Sequence, residues 1–254
     1  MRKVNTAKQI MAEGRAAYGY ALGMGSPIAA EALAQTGIDW ILLDNQHGSF
    51  GPDSTIMTLL ALAGGSATPM ARVARNDYTM IGRMLDEGAL GIVVPMVHTP
   101  ELAKQAADAC RLPPHGTRSF GWGRAGRYGD DYARWIDEEI FLAVQLEDIA
   151  AVENAEAILS TPGVDGVWAG PADLALSLGI KPWEAANDDR HGRALEAIVQ
   201  ACRNTGTIPG LACNSPEEAR MRAAQGFQFL TAGGDMSFML GGAMAGLGVV
   251  RESR

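Results

Sequence analysis

The stretch GIVVPMVHTPELAKQAADACR, residues 91–111, holds the pattern from which the fold follows. Its first seven residues are continuously apolar rather than alternating, as in a strand buried on both faces of a parallel sheet. After His98 the segment TPELAKQAADACR changes to a helix-like pattern, so the unit is a strand followed by a helix. The alternation recurs outward in both directions. Further apolar runs stand at YGYALGM (18–24), WILLD (40–44), MARVA (70–74), IFLAVQLE (140–147), GVDGVWAG (163–170), IPGLACN (208–214) and FQFLTAG (227–233), which makes eight with GIVVPMV. Between them lie helical stretches such as PIAAEALAQTG, TMIGRMLDEGA, DIAAVENAEAILS and SPEEARMRAAQG. Gly37, Gly88 and Gly226 end three of these, as glycine does past a helix C-terminus. Eight strands alternating with helices predict an α/β protein of the (β/α)8 TIM-barrel class, with a doubly wound open sheet as the alternative. The 254 residues suit one such barrel, and no Pro/Ser-rich linker divides them, so residues 1–254 read as a single domain.

Composition narrows the function. With 21 basic against 29 acidic residues the net charge is −8, and no Lys/Arg block supplies the electrostatic footprint of phosphate-backbone binding, so nucleic acid is not an expected partner. No apolar run reaches the roughly 20 residues needed to cross a bilayer, and the N-terminal MRKVNTAKQIMAEG lacks an apolar region behind its basic residues, so neither export nor membrane insertion is expected. Cys110, Cys202 and Cys213 are odd in number, widely spaced and without a CxxC pair. They suggest neither a disulfide framework nor a thiolate metal site, and a reduced cytoplasmic protein fits best. Two segments depart from the repeat. LPPHGTRSFGWGRAGRYGDDYARW (112–135) is long and rich in Gly, Arg and aromatic residues, and a loop of that size in a compact fold is functional or disordered. The tail SFMLGGAMAGLGVVRESR is apolar and Gly-rich; it packs either on its own barrel as a final helix or on a neighbouring subunit.

In barrels of this kind the active site gathers at the C-terminal ends of the strands, so polar residues that terminate an apolar run are the candidates. These are Asp44 and His47 after the second run, Arg72 in the third, Glu147 ending the fifth and Asp173 past the sixth. Glu147 and Asp173 are one β-α-β step apart. Two carboxylates so placed can hold one hard divalent cation, with water or substrate oxygens completing its shell. The structural alternatives are a rim salt bridge for Glu147 and a helix N-cap for Asp173. His47, in a loop, is either a general base, a task for which imidazole suits proton transfer at neutral pH, or a hydrogen-bonded loop histidine. Arg72 inside an apolar strand needs an anion, either a substrate carboxylate or enolate or a barrel carboxylate such as Asp44. His98 and His115 lack such placement, and DDRHGR around His191 reads as a solvated face. Neither a serine-hydrolase elbow nor a dinucleotide-binding glycine motif stands in the right context.

DWILLDNQHG, PMARVARND, the D-E-G-A of MLDEGALGIVVPMV, LPPHGTRSFG, VQLED and GVDGVWAGPADLALSLG resemble, in this order and spacing, the metal-dependent class II pyruvate aldolases of the HpcH/HpaI aldolase and citrate lyase superfamily. The similarity spans roughly residues 5 to 240. It implies that Glu147 and Asp173 bind a divalent cation (Mg²⁺, Mn²⁺ or Co²⁺), that Arg72 stabilises charge at the keto oxygen, and that His47, beside Asp44, acts as base. It further implies that Asp86 orients the histidine, that Gln145 contacts substrate, and that backbone around Gly170 and Ala172 holds the substrate carboxylate. One departure stands out, since relatives commonly carry Glu before the histidine and this chain has Gln46. The implied reaction is reversible cleavage of a 4-hydroxy-2-oxo acid to pyruvate or hydroxypyruvate and an aldehyde. Oxaloacetate decarboxylation with addition of the enolate elsewhere, as in a macrophomate-synthase-like relative, is the second enzymatic reading. A barrel that only binds a 2-oxo acid is the non-enzymatic one. The resemblance also implies a homo-oligomer, a hexamer or trimer of dimers, with C-terminal helices exchanged between neighbours. Lysine chemistry is not expected, because Lys3, Lys8, Lys104 and Lys181 do not end strands and a Schiff base needs one that does.

Overall fold

The computed structural model describes residues 3–121 and 123–252. Eight parallel strands, β1 (Ala17–Leu22), β2 (Trp40–Asp44), β3 (Thr68–Arg72), β4 (Gly91–Val94), β5 (Phe141–Val144), β6 (Gly166–Val167), β7 (Gly210–Leu211) and β8 (Phe229–Gly234), fall on the eight apolar runs. They pair in the order β6-β5-β4-β3-β2-β1-β8-β7, and bridges from Gly166 to Ile208 and from Ala169 to Leu211 join the two ends. The chain is therefore a single-domain (β/α)8 barrel, and the open-sheet alternative falls away. Around it run α1 (Thr6–Ala12), α2 (Pro27–Ala34), α3 (Pro52–Leu62), α4 (Tyr78–Asp86), α5 (Pro100–Cys110), α6 (Tyr132–Glu139), α7 (Ile149–Glu153), α8 (Ala155–Leu159), α9 (Pro171–Ser177), α10 (Asp189–Thr205), α11 (Pro216–Ala224) and α12 (Asp235–Glu252).

The continuous apolar character of the runs has a visible cause. Along β2, Trp40 and Leu42 point into the barrel with Met70, Val93, Phe141, Ala143, Trp168 and Phe229, whereas Ile41 and Leu43 pack outward under the helices. Both faces are buried, so both parities must be apolar. Side-chain caps fix where the helices start: Asp77 accepts from Met80 N–H, Thr99 from Leu102 N–H and Ser215 from Glu218 N–H. Gly37, Gly88 and Gly226 take φ of +84°, +102° and +104° beyond their helices.

Four details refine or correct what the sequence implies. The stretch 149–159 is two short helices separated at Asn154, not one. Residues 112–135 are ordered over their described part, with a 3₁₀ turn at Arg124–Tyr128 leading into α6. The N-cap of α9 is Gly170, so Asp173 lies inside the first turn rather than capping it. The tail is α12, which touches its own barrel mainly at its start. There Asp235 accepts hydrogen bonds from the N–H groups of Gly23 and Met24, at 2.9 and 3.0 Å, and the Phe238 ring meets Tyr20 edge-on at 4.8 Å. Beyond that turn Met239, Leu240, Met244, Val249 and Val250 are exposed. Among the described residues no helix is long and apolar enough to cross a membrane.

Candidate active site

Register brings the first pair together. Asp44 and Arg72 are cross-strand partners at the C-terminal ends of β2 and β3. Arg72 Nε donates to Asp44 Oδ1 at 2.9 Å and Nη2 to Oδ2 at 2.5 Å, a two-pronged contact that leaves Nη1 outside the pair. The guanidinium also lies 5.3 Å from the Trp168 ring centroid. Burial alone would raise the Asp44 carboxyl, but the Arg72 hydrogen bond and charge, with N–H groups of His47 and Gln46, hold it below the ordinary value. Those two N–H groups reach Asp44 Oδ1 at 3.2 and 3.0 Å. His47 is thereby placed at the rim, exposed, with its backbone tied to the same carboxylate. The barrel carboxylate weighed as a partner for Arg72 is thus Asp44.

The second group lies across the mouth. Glu147 is buried, accepting from Met96 N–H at Oε1 (2.8 Å) and from Gln145 Nε2 at Oε2 (2.5 Å). Burial pushes its carboxyl above the usual glutamate value and the Asp173 charge adds to the rise, whereas the Met96 N–H hydrogen bond, then the Arg72 and His98 charges, oppose it. Glu147 and Asp173 thus sense each other as like charges. Gly170 permits the crowding, because a Cβ there would lie 2.9 Å from Glu147 Oε2 and 3.0 Å from Gln145 Nε2. The buried Gln145 Oε1 and Trp168 Nε1 have no hydrogen-bond partner among the described residues. No cluster of three or more His, Cys, Asp or Glu side chains stands ready for a metal among those residues. Two carboxylates and an orphaned amide oxygen are nevertheless a hard-oxygen donor set, and a Mg²⁺-like cation that takes its remaining ligands from water or substrate fits it.

A cleft of about 750 Å³ lined by Arg72, Gln145, Trp168, Gly170, Ala172 and Asp173 opens over this centre. Asp44 and Trp168 line an adjoining recess against β1 and β8. Asp86 is elsewhere: at the end of α4 it accepts from Arg118 Nη2 at 2.8 Å and lines a separate cleft with Tyr78, Arg83 and Ser119. The unusual 112–135 segment accounts for that placement. Arg118 holds Asp86 and donates also to Tyr132, Arg124 Nη1 donates to Glu87 O at 3.2 Å, and the Tyr128 hydroxyl to Gly88 O at 3.0 Å. The basic and aromatic residues of the segment therefore clamp the D-E-G turn in which Asp86 lies.

Three features escaped the sequence. His191 is buried, not solvated, and its Nε2 sits 2.9 Å from Pro171 O, tying α10 to the turn that carries Asp173. Its spacing with the buried Leu195, Ile198 and Cys202 is the helical signal that marks it. His98 Nδ1 pairs with Asp148 Oδ2 at 2.5 Å. Met96 bonds Glu147 through its backbone, which no side-chain pattern announces. The lysines lie off the strands, Lys8 in α1 and Lys104 in α5, and burial pushes the thiols of Cys110, Cys202 and Cys213 up to about 12, so none is a nucleophile at neutral pH.

The model of the HpcH/HpaI aldolase/citrate lyase family matches residues 20–240. A hydroxypyruvate/pyruvate aldolase of Chromohalobacter salexigens is 37% identical over 239 residues, covering 91% of this chain and 92% of the relative. A 4-hydroxy-2-oxovalerate aldolase of Rhodococcus jostii is 37% identical, covering 91% and 90%. The crystal structure of an HpcH/HpaI aldolase/citrate lyase family protein from Burkholderia cenocepacia superposes with a TM-score of 0.90 at 31% identity, covering 98% of this chain and 100% of that one.

Proposed function

The chain belongs to the HpcH/HpaI aldolase/citrate lyase family and is a carbon–carbon lyase of the aldolase class, and from that premise we propose a divalent-metal-dependent enzyme that reversibly cleaves a 4-hydroxy-2-oxo acid to pyruvate or hydroxypyruvate and an aldehyde. The observation that carries the reading is the pair Glu147 and Asp173, a buried acid that feels the like charge of an exposed one at the mouth of the cleft that Arg72 also lines. When bound, a cation such as Mg²⁺, Mn²⁺ or Co²⁺ supplies Lewis-acid polarisation of the 2-oxo group. Glu147 and Asp173 are the residues that would hold it.

The remaining work falls to the chain's own groups. Arg72, locked by Asp44 and Trp168, keeps Nη1 for the oxygen on which negative charge grows as the carbon–carbon bond breaks. Preorganisation matters here, because a donor already fixed costs no reorganisation during the reaction. Gln145, which lines the cleft, contacts the substrate, and backbone about Gly170 and Ala172 receives the carboxylate. His47 takes the proton of the aldol hydroxyl in cleavage and returns it in condensation. The orienting role for Asp86 rests on the family resemblance alone, since within this chain Arg118 holds its carboxylate in a separate cleft. Residues 1–254 form one catalytic domain, and the apolar length of α12 covers a second copy of the chain in a homo-oligomer, a hexamer or trimer of dimers. The protonated, buried thiols suit a cytoplasmic setting.

The test is purified protein with pyruvate, an aldehyde and Mg²⁺, Mn²⁺ or Co²⁺ in turn, followed for condensation and cleavage. Oxaloacetate decarboxylation without aldol turnover transfers the assignment to the second reading. No reaction with any of the three metals, together with indifference to EDTA, ends it.

A further inference from the structure

The ladder between β4 and β5 is irregular where it matters. Gln145 N–H donates to Val94 O at 2.8 Å, and a regular parallel ladder would return the next bond from Met96 N–H to Gln145 O. Val97 N–H makes that bond instead, at 3.3 Å. One extra residue is thus inserted opposite Gln145, a bulge, and Met96 N–H is released from the ladder. It donates to Glu147 Oε1 at 2.8 Å. Pro95, the other residue of the bulge, has no N–H to offer.

The release requires an unusual backbone. Met96 has φ of +56°, the sole non-glycine residue with positive φ among the described residues. A side chain with a Cβ is disfavoured there, and such strain persists only where the surroundings over-determine it. The restraints are visible: Val94 and Val97 are fully buried and both bonded to Gln145. The Met96 side chain is 52% exposed, so its packing does not explain the kink. Gln145 meanwhile holds Oε2 of the same carboxylate through Nε2. The bulge and the residue opposite it therefore pin both oxygens of Glu147.

We propose that Met96 is a positioning residue whose left-handed backbone aims its N–H to fix the Glu147 carboxylate for a divalent cation. The inference rests on the reading of Glu147 and Asp173 as the cation pair. It makes tolerance at position 96 a matter of backbone conformation rather than side-chain chemistry. Glycine and asparagine accept positive φ, alanine keeps the N–H without the side chain, and β-branched residues resist the turn.

The experiment is calorimetric titration of the metal-free protein with Mn²⁺, without substrate, alongside thermal melts. M96G, M96N and M96A are expected to bind within about threefold of the parent chain, and M96V and M96I to bind about tenfold or more weakly, the usual cost of disturbing a ligand's own hydrogen-bond partner. M96G is also expected to melt higher, since it relieves the strain. Parent-like affinity in M96V or M96I overturns the inference, and so does a loss in M96A or M96G as large as theirs. Should the β-branched variants fail to fold, retained affinity in M96A with a raised melting temperature in M96G supports it. Absence of Mn²⁺ binding in the parent chain, or full binding in E147Q, removes the cation reading and this inference together.

Discussion

Asp165 at the N-terminal end of the barrel and Glu147 at the C-terminal end are held in opposite ways. At the N-terminal end, Asp165 stands just before β6 and receives Lys8 Nζ at 2.9 Å, Arg111 Nη2 at 2.7 Å and Leu142 N–H at 2.8 Å. At the C-terminal end, Glu147 is held by neutral donors and faces the charge of Asp173. One acid is satisfied twice over by cations of the chain; the other two repel. The first arrangement ties α1, α5 and β6 together, whereas the second sets Glu147 and Asp173 at odds and, on the proposed function, reserves them for a cation. Asp165 is thus neutralised by the chain itself, whereas Glu147 is held by neutral donors under the opposing influences of Asp173 and of Arg72 and His98.

That contrast can be broken or sharpened by substitution. The largest effect belongs to Glu147→Gln and Asp173→Asn, each expected to abolish metal-dependent turnover, with the aldol rate down by about 10³-fold and the metal-free melting temperature unchanged or higher. A lower melting temperature with normal turnover would turn the contrast upside down. Next comes His47→Ala, expected to cut aldol turnover by about 10²-fold with pyruvate affinity, read by calorimetry, held constant. Full activity in that variant takes the histidine out of the mechanism. At the opposite end Asp165→Asn should cost about 2 kcal/mol in urea unfolding, discounted for its partial exposure, with turnover per folded molecule unaltered.

The smallest effect is one of pH. Burial, then the Asp173 charge, raises the Glu147 carboxyl above its unfolded value, so the folded chain keeps the proton to higher pH than the unfolded chain does. The stability this contributes is fully present below the ordinary glutamate range and is lost as pH rises through the raised value. Denaturation midpoints of the metal-free protein should fall across that window, the slope should vanish in Glu147→Gln, and added Mn²⁺ should offset the loss at the upper end. A parent chain without that slope counts against the crowded pair.

The barrel was legible because its cause is written in every strand: a segment buried on both faces has no choice but to be apolar at consecutive positions, as WILLD and GIVV are. Helix boundaries were legible where a cap or a terminal glycine marks them. Asn154, which divides α7 from α8, carries no such mark in advance. Asp44 and Glu147 stood out because each ends an apolar run, Arg72 because it interrupts one and Asp173 because it follows one closely. His191 was misread because DDRHGR looks charged as a string, although the histidine falls on the buried face of a 17-residue helix. Met96 was invisible for a deeper reason: its contribution is a backbone N–H, and which N–H leaves a ladder is decided by a one-residue insertion opposite Gln145, not by side-chain type.

Gly170 carries a consequence for how such a chain changes over generations. Every amino acid reachable from a glycine codon by a single base change brings a Cβ, and at this position that atom arrives 2.9 Å from the Glu147 carboxylate. Gly192, on α10, would meet nothing within 4 Å and is free to vary by this criterion. Variation at 170 is thus tied to movement of Glu147 and Gln145, the two side chains that such a Cβ would meet.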